Sequence, residues 1–313
     1  MSQKYDGSKL SDELKKKAWE NLREDENLRC QALEQFREWI TKHPKIKKCR
    51  MDDVFLLRFL RTKKFSVPEA CQLLEKYLTT RKVLPQLFDN LSLSDPAIRH
   101  LISSGGVMLL PEPDKQGRLV ITFDPEHYDP NKYTTVDGIR ATNLILELAN
   151  LDERSQICGI AHVMDWAKLT LPFMGMWTVS QTKNFTRCWQ KTFPLRHGAF
   201  FFVNMPAFSL AFSKLVISCL SEKLRDRIYM VKDWESVHGD LGASILPSDC
   251  GGKVPRKEIA KKVIELAEKH REEILALNDF DIDVSDVDLN FGNSYDADLD
   301  SAIVGSFRKI QVD

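Results

Sequence analysis

Leu10, Leu14, Ala18 and Leu22 recur at every fourth position, and Leu33, Phe36 and Ile40 continue at helical spacing. Both runs predict amphipathic helices, because a 3.6-residue repeat turns these positions onto one face. Ser11 is placed to cap the first, with Asp12 and Glu13 in its first turn, where free N–H groups favour carboxylates. His43-Pro44 stops the pattern, since the residue before a proline is driven out of the helical region. Met51 to Arg61 predicts a short helix, Lys64 to Val67 a turn, and a new helix opens with Pro68 near its first position and runs to about Thr80. Residues 1–95 therefore read as all-helical.

The texture changes near Gly105-Gly106. Arg118 to Phe123 is β-branched and aromatic, and Asp124-Pro125 ends it. Val136 to Asn150 reads as helix, Ile157 to Met164 as a buried strand, and Phe173 to Trp189 as helix. Ala199 to Val203 is apolar throughout, as a strand covered on both faces should be. Pro206 to Leu220 is helical and apolar, and Ile228 to Val231 is a short strand. Strands alternating with helices predict an α/β fold with a largely parallel sheet behind the small helical N-terminal region. Ile259 to Leu277 reads as a charged amphipathic helix. Beyond it residues 278–300 carry eight aspartates and no basic residue, the composition of a solvated tail.

The 313 residues carry 45 basic and 45 acidic side chains, so no global charge argues for nucleic acid, and a charge-driven partner must be sought in local clusters. The polar first 25 residues hold no secretory signal, and apolar runs such as Ala199 to Val203 fall far short of the ~18–20 residues that span a bilayer. Seven scattered cysteines, none in a C-x-x-C pair, read as reduced thiols. These features predict a cytoplasmic protein that meets membranes transiently, from outside, and monomer is the default state.

Catalytic signatures are missing: no G-x-S-x-G elbow, no phosphate loop, no H-E-x-x-H, and no metal-like histidine pairing. The sequence thus predicts no enzyme, no cofactor and no metal. Asp279-x-Asp281-x-Asp283 begins like a calcium loop, but Val284 stands where the turn glycine belongs and Asn290 where the closing glutamate belongs. His162, inside a predicted apolar strand, reads first as a satisfied core histidine and second as a polar contact for a ligand.

Two features point to a function. The Pro206–Leu220 helix is apolar around most of its circumference, which suits either a core helix or a lid over an oily cavity whose outer face meets a membrane. Beside it, Lys183 to Lys232 holds nine Lys or Arg against Glu222 and Asp226, an excess of seven in a neutral chain. That stretch is either an ordinary solvated surface or an anionic-headgroup site, where each cation contributes about 1 kcal/mol near an acidic leaflet.

Asp53 to Phe65 (D-V-F-L-L-R-F-L-R-T-K-K-F), Phe193-Pro194-Leu195, Val203-Asn204-x-Pro206, Leu224-Arg-Asp-Arg-Ile228 and Leu246-Pro247-x-x-x-Gly251-Gly252 occur in the order of the CRAL-TRIO lipid-carrier family, and the sequence resembles that family over roughly residues 10–255. Its tocopherol-transfer and retinaldehyde-binding branch is most similar. The resemblance implies a helical N-terminal domain (1–95), an α/β/α lipid-binding domain (96–255), and a C-terminal helix with acidic tail (256–313). It implies a cavity lined by Ile139, Thr142, Leu146, Ile160, Met164, Leu171, Phe185, Cys188, Phe193, Leu195 and Phe200, under a mobile gate carrying Phe208, Phe212, Leu215, Val216 and Leu220. It also places a phosphoinositide headgroup on Arg196, Lys223, Arg225 and Arg227, with Gly198 standing where that branch has arginine. The expected function is binding and transfer of a small hydrophobic ligand (tocopherol, retinoid, carotenoid or a similar lipid) with exchange at phosphoinositide membranes. The alternative is a phosphoinositide-reading trafficking adaptor without specific cargo. An enzyme acting on a hydrophobic substrate finds no nucleophile or metal set.

Overall fold

Segments rich in Val, Ile and Phe build the centre of the chain. The structure, a computed structural model, describes residues 10–285. Its strands are β1 (Ile46–Lys48), β2 (Val107–Leu109), β3 (Leu119–Phe123), β4 (Ile160–Asp165), β5 (His197–Val203), β6 (Ile228–Val231) and β7 (Asp281–Ile282). Five of them form one sheet in the order β2-β3-β4-β5-β6, with β2 antiparallel to β3 and the remaining pairs parallel. Register aligns Ile121, His162, Phe200 and Ile228 in one row across four strands.

Side chains alternate between faces along a strand. Val120, Ala161, Val163, Ala199 and Phe201 bury one face against Val237, Leu241, Ile245 and Ile259. Phe200 and Phe202 face the other way, towards Leu220 and Leu224. The sheet is thus a middle layer covered on both sides, which is why its strands read as nearly continuous apolar runs.

The N-terminal region packs the helices Asp12–Leu22, Glu26–Lys42, Asp53–Thr62 and Val67–Val83. Ser11 caps the first, its Oγ accepting from the Leu14 N–H at 3.3 Å. The Asp53–Thr62 helix is buried on every side, including Arg58 and Arg61. Arg61 donates to Glu24 at 2.8 and 2.9 Å and to Glu153 at 2.7 Å. Arg58 and Tyr77 both reach Glu147, on the Thr135–Leu151 helix.

Several boundaries differ from expectation, each for a local reason. The N-terminal region is not all-helical: β1 pairs antiparallel with β7, and Phe280 packs edge-on against Phe55 and Tyr77, with ring centroids 5.4 and 6.4 Å apart. Three residues are too few to show a strand period, and their partner lies far along the chain. The helix expected from Phe173 to Trp189 is two helices, Leu171–Gly175 and Val179–Thr192, because Thr178 and Gln181 close a capping box that starts the second. The strand expected from Ile157 begins at Ile160, since Glu153–Cys158 is helical and Gly159 ends it at φ 89°. The apolar segment expected as one helix over Pro206–Leu220 is a 3-10 turn, Ala207–Ser209, followed by the helix Leu210–Ser218. The expected Ile259–Leu277 helix divides at His270 into Arg256–Lys269 and Arg271–Leu275.

Among the described residues, no helix is long and apolar enough to cross a membrane. Asp279 and Asp281, from the start of the acidic run, pair with Lys48 and Lys82 at 2.9 Å. The rest of that run, from residue 286 on, lies outside the described residues.

Candidate functional site

Between the Phe200 face of the sheet and the helices Thr135–Leu151, Val179–Thr192 and Leu210–Ser218 lies a cavity of about 190 Å³. The sheet contributes Ile121, Phe123, His162, Met164, Phe200 and Phe202. The Thr135–Leu151 helix contributes Ile139 and Thr142 from one face, while Asn143 and Glu147 are turned towards the N-terminal helices. Thr182, Phe185, Thr186 and Trp189 fall at i, i+3, i+4 and i+7 and form one stripe of the Val179–Thr192 helix. Phe212, Ser213, Val216 and Leu220 close the top.

Of the side chains expected on the cavity wall, Ile139, Thr142, Met164, Phe185 and Phe200 line this space. Leu146, Ile160 and Leu195 are sealed in the surrounding core, which closes before it reaches them. Phe193 lines a separate small void with Leu87, Phe88 and Asn143. Leu171 is 68% exposed, on the outer side of its short helix. The Cys188 side chain lies outside the described residues. The reading missed Phe202, which shares the parity of Phe200, and the Thr182, Thr186 and Trp189 stripe, whose spacing from Phe185 was the available signal.

Of the residues expected to form a gate, Phe212, Val216 and Leu220 face the cavity. Phe208 is 49% exposed and so belongs to the outer surface with Leu210, and Leu215 is half-buried. The segment is pinned at both ends. Asn204, at φ 56°, donates to Asp165 Oδ1 at 3.0 Å, and Trp234 Nε1 donates to Asp165 Oδ2 at 2.8 Å. At the far end Gln190 donates to the Cys219 carbonyl at 3.0 Å and accepts from the Ser221 N–H at 2.8 Å.

His162 reconciles both of its readings. Its Nε2 lies 3.1 Å from His197 Nδ1, its ring stacks on Phe200 at 4.8 Å, and it also lines the cavity. Burial holds its pKa well below the usual histidine range, with His197 adding to the effect. Burial, with the Arg227 guanidinium nearby, pushes His197 down to about 3. Both rings are neutral near pH 7.

A second arrangement is cationic. Burial lowers the pKa of Lys223, and the charges of Arg227, Lys64, Arg196 and Lys63 lower it further. Arg196 is lowered by burial and by Arg227, and its Nη1 is buried without a hydrogen-bond acceptor. Like charges held close together disfavour one another's charged form, so these cations lie near enough to interact. Lys63 and Lys64 come from the N-terminal region, where Lys64 and Phe65 adopt φ of 49° and 63° to make the turn. Both stand in the D-V-F-L-L-R-F-L-R-T-K-K-F motif, whose sequence gives no sign that they meet residues near position 223. Arg225 is exposed, and the charges acting on Lys223 are those four others. At Gly198 a Cβ would sit 2.6 Å from Arg118 Cδ, so a neighbouring arginine already fills the space, and that arginine is neutralised by Asp114 at 2.5 Å.

Asp124, Glu126 and His127 approach one another closely, but Asp124 is paired with Arg256 at 3.2 Å, which meets its charge without an ion. The six cysteines with described side chains are free.

Residues 103–252 match the CRAL/TRIO domain, and residues 25–98 match the Pinta-like UBA domain. The chain is 32% identical to clavesin-2 of Rattus norvegicus and of Homo sapiens over 247 residues, 79% of this chain and 76% of theirs. It is 32% identical to the alpha-tocopherol transfer protein-like protein of Homo sapiens over 244 residues, 78% of this chain and 71% of that one. The crystal structure of Sfh5 superposes with a TM-score of 0.50 at 14% identity, over 90% of this chain and 99% of that one, a likeness of fold alone.

Proposed function

This chain belongs to the CRAL/TRIO family of lipid-binding and transfer proteins, and we propose that it carries a small hydrophobic ligand and exchanges it at anionic membranes. The observation that carries the proposal is the cavity: a mostly apolar space under a helix whose other side is exposed. Burying a hydrocarbon there is worth about 0.8 kcal/mol per CH₂, so an oily ligand is held by area without covalent chemistry.

Exchange requires the gate to have two states that differ in membrane affinity. Phe208, Leu210 and Val179 offer exposed apolar surface around the gate, and Leu171 adds to it on the adjoining short helix. Lys63, Lys64, Arg196, Lys223 and Arg227 offer the charge that an anionic, phosphoinositide-containing leaflet attracts. The same cluster serves an adaptor that reads phosphoinositides without cargo. The division into residues 1–95, 96–255 and 256–313 remains part of this proposal, with the basic site drawing on the first two parts.

Cargo capture tests the carrier reading. The purified chain is incubated with a mixed lipid extract, repurified and examined by native mass spectrometry. One ligand at near one-to-one stoichiometry is expected. An empty protein that still binds phosphoinositide liposomes would favour the adaptor.

A further inference from the structure

The two edges of the five-stranded sheet are finished differently. At one edge β2 is buried along its whole length, and Ile259 of the Arg256–Lys269 helix packs in the same cluster as Met108. At the other edge β6 pairs with β5 alone. Tyr229 and Met230, adjacent in the strand and so turned to opposite faces, are 48% and 51% exposed. A bare edge is usually blunted by a charge, a proline or a bulge. Ile228–Val231 has none of these: it is apolar throughout, and its register with β5 runs without a shift.

The backbone shows which groups of β6 are free. The Phe200 N–H donates to the Arg227 carbonyl at 2.8 Å. In a parallel pair, successive residues turn their N–H and carbonyl alternately towards the neighbouring strand and away from it. Arg227, Tyr229 and Val231 therefore serve β5, while Ile228 and Met230 present theirs outward, where no strand follows among the described residues. The flanking charges are unmatched as well. Asp226 lies two residues before the strand and Lys232 directly after it. Both are exposed, and neither makes an ion pair among the described residues.

A strand with opposite charges at its two ends complements itself when turned end for end. We propose that β6 pairs antiparallel with β6 of a second copy of this chain, about a twofold axis at Tyr229. Centred there, Ile228 of each copy exchanges two hydrogen bonds with Met230 of the other, the two Tyr229 rings adjoin, and Asp226 comes beside Lys232 of the second copy at both ends. Centred on Met230 instead, Lys232 would lie against the apolar Ile228. The contact uses the same patch on both copies and so closes at two. The axis runs perpendicular to the sheet, which joins two five-stranded sheets into one and keeps both Phe200 faces on the same side. Both Leu210–Ser218 helices then look the same way, whatever the cavities beneath them hold.

The test is sedimentation velocity of the full chain from about 1 μM to about 300 μM, since so short a pairing should associate only in the micromolar range or weaker. A reversible shift to twice the mass of one chain is expected. Tyr229→Lys, which sets two ammonium groups together on the axis, and Met230→Pro, which deletes an outward N–H and leaves the β5 ladder intact, should each weaken association at least about tenfold. Asp226→Lys or Lys232→Asp alone should weaken it about three- to tenfold, and the two together should restore it, because the swap matches only if these residues meet across the axis. Circular dichroism and thermal unfolding check that each variant folds. If either strand variant does not, the charge swaps, which lie outside the strand, carry the test. A chain that stays monomeric throughout, an open-ended series of larger species, a dimer indifferent to all four substitutions, or one that the double swap fails to restore overturns the proposal.

Discussion

Arg58 and Glu147 form a buried ion pair, Nη1 to Oε2 at 3.0 Å, in which each side chain is 1% exposed. It joins the central N-terminal helix to the helix that walls the cavity, and the Tyr77 hydroxyl adds a bond to Glu147 Oε1 at 2.5 Å. Truncating one partner of such a pair strands the other charge. Glu147→Ala should therefore cost about 3–5 kcal/mol in urea unfolding. Glu38→Ala, which breaks the exposed pair with Lys42, should leave the midpoint nearly unmoved. Equal effects for the two variants would remove the buried pair from the account of stability.

Phe212 lines the cavity from the gate helix and is only half-buried. Phe212→Asp should impair ligand exchange between vesicles more than it lowers the melting temperature, because a charge there opposes both closure over an apolar space and insertion into a leaflet. Normal exchange by that variant would show that the segment is not the gate.

Gln190 holds the end of the proposed gate with two hydrogen bonds, to the Cys219 carbonyl and from the Ser221 N–H. At about 1 kcal/mol each, their loss in Gln190→Ala should raise the rate of ligand release roughly five- to thirtyfold with little change in global stability. Stopped-flow transfer to acceptor vesicles reads this directly, and an unchanged release rate would place the moving hinge elsewhere.

The basic cluster predicts a salt-sensitive membrane contact. Arg196→Ala with Lys223→Ala should weaken binding to phosphoinositide liposomes, and Lys63→Ala with Lys64→Ala should do the same, although these lysines belong to the other end of the sequence. Both losses should shrink at high salt, where exposed charges are screened beyond about 8–10 Å. Binding that is indifferent to all four substitutions would remove the headgroup site.

Acid should destabilise the protein through the histidine pair. Both folded pKa values lie below the unfolded value of about 6.5, His197 at about 3. The unfolded chain therefore binds protons that the folded chain refuses. The pair's contribution is complete above pH 6.5 and is lost as pH falls towards 3, by up to about 1.4 kcal/mol per pH unit for each ring. Denaturation midpoints taken from pH 7 to 4 should show the slope, and His197→Phe should flatten it.

The sheet was legible because its strands are covered on both faces, and Ile228 to Val231 was found residue for residue. The wall was legible where side-chain parity or helical spacing carried it, as at Met164 and Phe200. Leu146 and Leu195 have the right chemistry in the right elements, yet depth decides their place, and depth depends on how neighbouring elements pack. The capping box at Thr178 was written in the sequence as T-x-x-Q but was hidden by the apolar run around it. The meeting of Lys63 and Lys64 with Lys223, and the pairing of β1 with β7, join positions far apart in the chain, for which a single sequence carries no local signal.

That last pairing has a consequence for the order in which the protein is made. Ile46 waits for Ile282, and the ring cluster of Phe55 and Tyr77 waits for Phe280. The N-terminal helical region, made before the sheet, is thus finished by almost the last described part. Until then it exposes an unpaired strand edge and an open aromatic surface, an invitation to chaperones. A message truncated before codon 280 should yield a protein that retains its cavity residues and has an N-terminal region without its closing strand.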